Sequence, residues 1–169
     1  DFYMVRQLQP WSGNTKKRLV KAPKLYSRDS GLALRFIMIS DYESLLGNPV
    51  IGAGWEGYVV ENILNELSDM WRSSFYRTSA QLEADLVLEG PGKQVFAVEI
   101  KRSTAPTVSK GFHYACHEVG ATHKVVIYPG NENFPLPNGV EAMSLKSFLK
   151  ILPRKTETGG YPDMSSLVV

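Results

Sequence analysis

The amino-acid sequence predicts a mixed α/β domain built around a mixed β-sheet. A helix with an apolar stripe at a 3.6-residue period runs from Gly54 to about Leu67. Three segments typical of β-strands follow it: "SFYRT", "ADLVLE" and "VFAVEIK". A second helix, from about Thr107 to Val119, then precedes the apolar strand "HKVVIYP". A strand that returns to the sheet through a helix pairs in parallel, so the order helix, three strands, helix, strand indicates a mixed sheet.

Short extended segments are expected at the start of the chain, where "FYMVRQL" and "PKLYS" have strand-like composition. The segment "DSGLALRFIMI" predicts a short helix that Asp29 or Ser30 would cap, and "SDYESLLGN" predicts another helical turn. Between the second and third core strands, "GPGKQ" is a hairpin signal. The apolar side chains of the first long helix share one face: Trp55, Val59, Val60, Ile63, Leu64 and Leu67.

The last third of the chain adds a candidate fifth strand, "GVEAM", and a small helix, "SLKSFLKIL", that Ser144 would cap. The residues after this helix are polar and are expected to be loose. We therefore divide the chain into a basic N-terminal segment over 1–47 that packs on the core, a core over 48–152, and a C-terminal tail over 153–169.

Composition sets broad limits on the protein class. The 169 residues suffice for one domain, and 43% hydrophobic with 21% charged residues is a globular balance. No apolar run is long enough to span a membrane, and no secretory signal opens the sequence. The single Cys116 cannot form an internal disulfide, which suits a reducing cytoplasm. The sequence therefore predicts a cytoplasmic protein without a membrane partner.

The net charge of +2 does not indicate a nucleic-acid partner by itself, but basic residues cluster near the N-terminus. This stretch is either a solvated face or a phosphate-binding surface. Its basic residues are Lys16, Lys17, Arg18, Lys21, Lys24 and Arg28.

The segment "VFAVEIKRS" begins as a buried strand and ends with a carboxylate and an ammonium two residues apart. Because side chains alternate along a strand, Glu99 and Lys101 share one face, while Ile100 continues the apolar face opposite. This pattern is typical of a central strand whose end opens into a cleft.

Folding the hairpin symmetrically about Gly92 sets Asp85 opposite Glu99, with Cβ atoms about 4.5–5.5 Å apart. The same register sets Glu83 opposite Lys101. Two carboxylates facing each other destabilise a half-buried sheet, and a divalent cation such as Mg²⁺ would compensate them. A β-bulge would change this register.

The first long helix contributes a third carboxylate. Glu56 falls near the middle of its apolar arc, and Glu61 lies nearly opposite. A buried Glu56 needs a partner, which a metal site or Lys101 would supply. The alternative is structural: the charges at the strand end lie in water, Glu83 and Lys101 form a cross-strand salt bridge, and Glu56 pairs with a backbone donor.

The segments "WEGYVVENIL", "FYRTSAQLEADLVLE" and "VFAVEIKRS" together resemble the PD-(D/E)xK, or restriction-endonuclease-like, nuclease superfamily, in the order found in archaeal Holliday-junction resolvases. A closer resemblance, from about Lys17 to about Leu152, is to the C-terminal domain of certain AAA-type ATPases, catalogued as domain-of-unknown-function family 4143. The resemblance implies a restriction-endonuclease-like core: a central four-stranded mixed sheet flanked by helices in α-β-β-β-α-β order. It also implies an upstream ATPase module, although these residues contain no G-x-x-x-x-G-K-[ST] loop, and resolvase-like relatives suggest a homodimer.

The resemblance carries nuclease roles onto four residues of this sequence: Glu56, Asp85, Glu99 and Lys101. In that interpretation Asp85, Glu99 and the backbone carbonyl of Ile100 hold Mg²⁺ or Mn²⁺, with help from Glu56, and no organic cofactor is expected. Lys101 would orient the attacking water and stabilise charge on the phosphate. The nucleic acid, expected to be DNA, would contact a set of polar and basic residues: Lys16, Lys17, Arg18, Lys21, Ser79 and Arg102. Thr78 or Ser79 could touch a phosphate oxygen, but the role we favour for both is to form the turn between two strands.

Two functions of different classes follow. The first is a Mg²⁺-dependent phosphodiesterase of the DNA endonuclease type. The second is a non-catalytic module on a nuclease-like fold, which binds nucleic acid or protein and serves an attached ATPase.

Overall fold

The structure is a computed structural model that describes residues 4–13, 18–29, 31 and 50–153. These residues form eight strands and three α-helices. In chain order the elements are β1 Val5–Leu8, β2 Lys24–Ser27, α1 Val50–Glu66, β3 Arg72–Arg77, β4 Glu83–Glu89, β5 Val95–Ile100, α2 Lys110–Glu118, β6 His123–Tyr128, β7 Phe134–Leu136, β8 Val140–Ser144 and α3 Leu145–Ile151. The two helical segments expected between residues 29 and 49 lie almost entirely outside the described residues.

The main sheet is mixed and has the strand order β3-β4-β5-β6-β8-β7. Strands β3, β4 and β5 are antiparallel neighbours, whereas β5 with β6 and β6 with β8 are parallel pairs. The predicted element order and the parallel pair made through α2 are therefore confirmed. The expected number of four strands is too small, because β8 extends the sheet beside β6 and the short β7 pairs with it.

Helices cover both faces of this sheet. On one face α1 packs with α3 and with the separate two-stranded hairpin of β1 and β2, burying Val59, Ile63, Leu86, Val98 and Phe148 among others. On the other face α2 buries Phe112, Ala115 and Cys116 against Tyr76, Val87, Ala97 and Val126. Burial of this apolar surface is the main source of stability, at about 25 cal/mol per Å². None of the helices within the described ranges has both the length and the hydropathy needed to cross a membrane.

The helix ends follow local capping chemistry. Ser109 caps α2 by accepting a hydrogen bond from the Phe112 N–H, so this helix is shorter than the predicted span from Thr107. Ser144 caps α3 in the same way through the Ser147 N–H, as the sequence predicts. The first long helix begins at Val50, four residues before its predicted start.

Ion pairs attach the β1–β2 hairpin to α1. The Arg6 guanidinium binds the Glu61 carboxylate, and Arg28 Nε donates to Glu61 Oε1 at 3.1 Å. Burial disfavours the charged carboxylate, but the hydrogen bonds from Arg6 and Arg28 outweigh this effect and lower the pKa of Glu61. Glu61, which the sequence places away from the apolar arc, is therefore covered by the hairpin and buried.

Candidate functional site

The β4–β5 hairpin has the predicted register along most of its length. The paired residues run from Glu89 with Val95 to Leu86 with Val98, and each pair is symmetric about Gly92. Gly92 has a φ of 66°, which favours glycine, so the turn forms where the sequence predicts it. The hairpin therefore brings the start of β4 next to the end of β5.

A β-bulge changes the arrangement at Asp85. Ser74 pairs with Val87 and Tyr76 with Ala84, so Phe75 of β3 is opposed by two residues of β4, Asp85 and Leu86. The Asp85 carboxylate turns back to β5 and accepts a hydrogen bond from the Ile100 N–H at 2.9 Å. The Asp85 side chain thus takes the place of a backbone acceptor for the Ile100 N–H, beyond the last β4–β5 pair of Leu86 with Val98.

Lys24 of β2 stands at the centre of an acidic cluster, which we define as Glu56, Glu83 and Asp85. The distances from Lys24 Nζ are 2.8 Å to Glu56 Oε1, 2.6 Å to Glu83 Oε1 and 3.2 Å to Asp85 Oδ1. The ammonium group of this β2 residue therefore joins one carboxylate of α1 to two carboxylates of β4. Its side chain is only 16% exposed, so these contacts are largely shielded from solvent.

Tyr26 contacts the same carboxylate oxygen as Lys24. Its hydroxyl donates to Glu56 Oε1 at 2.6 Å. The helix permits this close approach because residue 57 is glycine: a Cβ atom there would lie 3.3 Å from the Tyr26 ring. Gly57 is unfavourable in a helix interior by about 1 kcal/mol relative to alanine, and the packing of Tyr26 gives it a structural role.

The acidic cluster perturbs the ionisation of its members. Burial disfavours the charged form of Lys24, but attraction to Asp85 and Glu56 outweighs burial and raises the pKa of Lys24. Burial and repulsion from Glu56 raise the pKa of Asp85 to about 6, against opposing contributions from Lys24 and the Ile100 N–H. Burial and the negative charge of Glu56 also raise the pKa of the Tyr26 hydroxyl.

The raised pKa of Asp85 predicts a pH-dependent stability. The folded protein binds the Asp85 proton more tightly than the unfolded chain, whose ordinary value is 3.8. The Asp85 contribution to the free energy of unfolding therefore decreases as the pH rises from about 4 to about 6, and is constant above that range. We expect Asp85→Asn to remove this contribution. Urea unfolding of both proteins from pH 4 to pH 7 measures the difference, and parallel profiles would contradict the assignment.

Glu99 and Lys101 form a second group beside this cluster. Lys101 Nζ lies 2.7 Å from Glu99 Oε1, and the Ser109 hydroxyl donates to the same oxygen at 3.1 Å. The proposed cross-strand pair of Glu83 with Lys101 is wrong, because Glu83 contacts Lys24 and also lies 3.4 Å from Arg77. The bulge explains the difference: Asp85 and Glu83 contact the hairpin on the α1 face, whereas Glu99 contacts the first turn of α2.

Two hydrogen bonds fix the backbone at the end of β5. The Lys101 N–H donates to the Ile127 carbonyl of β6 at 2.9 Å, and the Trp55 indole N–H donates to the Lys101 carbonyl at 3.1 Å. Because Glu56 follows Trp55 on α1, the helix and the strand end that carry the candidate residues are directly linked. All four predicted residues, Glu56, Asp85, Glu99 and Lys101, therefore lie around the C-terminal end of β5.

The carboxylate oxygens at the C-terminal end of β5 are the kind of ligand atom that a hard divalent cation prefers. Glu99 Oε2 is buried and has no hydrogen-bond partner, which is costly for a carboxylate oxygen. Mg²⁺ commonly uses one or two protein carboxylates together with water and phosphate oxygens. Among the described residues, no three His, Cys, Asp or Glu side chains already converge as a metal site. Asp85 and Glu56 are engaged by Lys24, which would have to withdraw before they could share a cation with Glu99.

The candidate nucleic-acid contacts lie partly together. The Ser79 N–H donates to the Arg18 carbonyl at 3.0 Å, so these two exposed residues are adjacent at the β3–β4 turn. Lys21 and Arg102 are exposed, and Arg102 directly follows Lys101. Lys16 and Lys17 lie outside the described residues. Thr78 beside Ser79 serves the turn, because its side-chain oxygen accepts from the Leu82 N–H.

Sequence reasoning missed the roles of Lys24 and Tyr26. The signal that could have found them is the alternation in "PKLYS": Lys24 and Tyr26 share a face, and Leu25 between them is 62% exposed. A strand that turns a lysine and a tyrosine to its covered side needs an acidic partner there. The sequence does not identify that partner, because Glu56 lies 32 residues after Lys24 and 30 residues after Tyr26.

The fold and site thus define a mixed α/β domain with an acidic and lysine-containing site at one end of its sheet. Residues 51–148 match the family model described as "Domain of unknown function (DUF4143)", and residues 1–43 match "Domain of unknown function (DUF8612)". The chain belongs to the DUF4143 family.

Two curated proteins are similar to this chain: the uncharacterized proteins Rv2008c of Mycobacterium tuberculosis and Mb2031c of Mycobacterium bovis. Each is 36% identical over 149 residues, which cover 88% of this chain and 33% of the relative. The chain thus spans about a third of the length of these relatives. No solved structure shows a significant match.

Proposed function

We propose that this domain is a Mg²⁺-dependent phosphodiesterase of the DNA endonuclease type, on a PD-(D/E)xK core, and that it forms the C-terminal part of an AAA-type ATPase. The observation that carries the proposal is the grouping of Glu56, Asp85, Glu99 and Lys101 around the end of β5, with one Glu99 oxygen buried and unpartnered. The neighbouring strands β3 to β6, between α1 and α2, have the order that the resemblance implies. The greater length of the relatives leaves room for an attached module.

The residues of the chain divide the chemistry between them. Glu99, Asp85 and the Ile100 carbonyl would hold the cation, with Glu56 nearby. Bound Mg²⁺ would polarise the scissile phosphate and activate a water molecule. The Lys101 ammonium is held by Glu99 yet its side chain remains 34% exposed, so it can donate to a phosphate oxygen. Its charge then stabilises the negative charge that develops on that oxygen.

The direct test is cleavage of supercoiled, linear, branched and single-stranded DNA, and of RNA, by the purified protein in Mg²⁺ or Mn²⁺. Calorimetric titration of the same cations measures binding, and we expect Asp85→Ala to weaken it. The matched control is Asp69→Ala, which removes an exposed carboxylate outside the site. Cation binding that Asp85→Ala leaves unchanged would contradict the assignment of Asp85 as a ligand.

A second function is favoured by Lys24. Its ammonium already compensates the acidic cluster, as a non-catalytic module that binds nucleic acid or protein would require. A protein that binds DNA but neither binds Mg²⁺ nor cuts any nucleic acid would support this module and exclude the phosphodiesterase.

The phosphodiesterase, and the second function where it binds nucleic acid, would use DNA contacts from the basic N-terminal stretch. We expect replacement of Lys16, Lys17, Arg18 and Lys21 by alanine to flatten the salt dependence of duplex binding, because each lost phosphate contact removes about 0.9 from the slope of log K against log salt. Fluorescence anisotropy with a labelled duplex at several salt concentrations measures it. The control is Arg72→Ala with Lys93→Ala, two exposed cations at the far end of the sheet. If the fourfold variant has the same slope of log K against log salt as the wild type, these basic residues form a solvated face and do not contact phosphates.

A further inference from the structure

A groove of about 530 Å³ lies beside the candidate site, between α1, α3 and the C-terminal end of β6. The Trp55 and Tyr58 rings line one wall and are stacked, with centroids 5.9 Å apart and planes at 25°. Tyr58 is 44% exposed, so this aromatic surface is open to a ligand. Its volume is within the range of small-ligand sites, about 300–1,000 Å³.

The charged residues of the groove are both lysines, Lys146 and Lys150 of α3. The groove thus differs from the acidic cluster, which carries three carboxylates around one ammonium. An aromatic wall facing two cations suits a ligand that combines a flat ring with negative charge. Unpaired nucleotides have both features: bases stack on aromatic side chains, and phosphates bind lysines.

The groove adjoins the proposed catalytic end of β5. The Trp55 indole N–H binds the Lys101 carbonyl, and Tyr128, another lining residue, ends the strand that pairs in parallel with β5. Parallel strands end at the same edge of a sheet. A nucleic-acid strand that passes Lys101 would therefore reach the groove directly.

We propose that this groove binds unpaired nucleotides of the nucleic acid that the site at the end of β5 acts on. The inference rests on the proposed function and specifies its substrate class: DNA with a single-stranded segment next to the phosphate that is attacked. Tyr58 stacks on a base, Lys146 and Lys150 bind the phosphates that flank it, and a fully paired duplex leaves these contacts unmade.

The test measures binding without cleavage. A labelled 12-nucleotide oligothymidylate is titrated in EDTA with the wild-type chain and with Tyr58→Ala, Tyr58→Phe and Lys146→Ala/Lys150→Ala. We expect Tyr58→Ala to weaken binding at least about 5-fold, because a base–aromatic stack contributes about 1–3 kcal/mol, and Tyr58→Phe to restore it. The double lysine variant should reduce the salt slope by about 1.4, at about 0.7 for each single-strand phosphate contact.

Controls separate this inference from the proposed function. Arg72→Ala with Lys93→Ala should bind the oligothymidylate as the wild type does, and Tyr58→Ala should not change binding of a fully paired duplex. Unchanged oligothymidylate binding by both groove variants overturns the inference, whether or not the protein cuts DNA. Self-association that Tyr58→Ala abolishes, without an effect on the oligonucleotide, also overturns it. If the protein binds the oligothymidylate through the groove but cuts no nucleic acid, the phosphodiesterase proposal is wrong and the groove inference still holds.

Discussion

Replacing Lys24 by methionine should lower the free energy of unfolding by about 3–5 kcal/mol, the usual cost of removing one partner of a buried ion pair. The change removes the ammonium from Glu56, Glu83 and Asp85, which then face one another at short range. Methionine keeps an unbranched side chain but lacks the Nζ atom, which lies 5.5 Å from the Phe75 ring centroid, so this cation–π contact is lost together with the ion pairs. Urea unfolding measures the loss.

The same variant tests the acidic cluster as a cation site. Mg²⁺ should raise the melting temperature of Lys24→Met more than that of the wild type, because the cation stabilises the state that binds it and the competing ammonium is gone. Lowering the pH should also restore stability, since protonation removes the repulsion between the carboxylates. The control is Lys21→Met, an exposed lysine on the same segment. If Mg²⁺ does not change the melting temperature of Lys24→Met, the three carboxylates of the acidic cluster have a structural role alone.

Replacing Lys101 by alanine should lower the cleavage rate about 10²–10³-fold, the effect of removing one donor that stabilises transition-state charge. Cation binding should change little, because in the proposed mechanism the carboxylates and not the ammonium would hold the metal. A cleavage assay at saturating DNA and calorimetry with Mg²⁺ separate the two quantities. Lys93→Ala, at the turn of the same hairpin, is the matched control.

The alternative role of Lys101 is to compensate Glu99. In that case Lys101→Ala lowers the melting temperature and leaves any cleavage unchanged. Glu83 provides a further check, because it contacts Lys24 and Arg77 and not Lys101. The effects of Glu83→Ala and Lys101→Ala on stability should therefore add, as for residues without a shared contact. A large coupling energy between them would contradict the described arrangement.

The predictable parts of the fold were those with a local cause. The glycine-rich turn and the alternation of apolar residues specify the β4–β5 register, and Ser144 caps α3 through a residue three positions away. The bulge at Asp85 has no such marker, because it lies in the pairing of β4 with β3, where Phe75 is opposed by both Asp85 and Leu86. A hairpin without this bulge would have Glu83 opposite Lys101 and the carboxylates of Asp85 and Glu99 on one face of the sheet, as expected from the sequence.

The part of the candidate site that could be predicted is the part carried by the first long helix and the β4–β5 hairpin. Asp85, Glu99 and Lys101 lie near the end of β5, but Glu56 and Asp85 contact Lys24 on the α1 face, whereas Glu99 contacts Lys101 and Ser109. Their roles in binding a cation stay a prediction. Lys24 was missed because its place depends on the docking of a separate hairpin onto α1, a tertiary contact between residues 32 positions apart. Glu61 was assigned to the outer side of the helix for the same reason: the arginines that bury it belong to that hairpin.

Helix α1 binds the β1–β2 hairpin through Glu61 and presents Glu56 to it five residues earlier. In the proposed function, a divalent ion at Glu56 and Asp85 would use the oxygen atoms that Lys24 of the hairpin contacts, so hairpin docking and cation binding would oppose each other. Such coupling is reciprocal. Any change that loosens the hairpin should therefore tighten cation binding by the same factor by which the cation would loosen the hairpin.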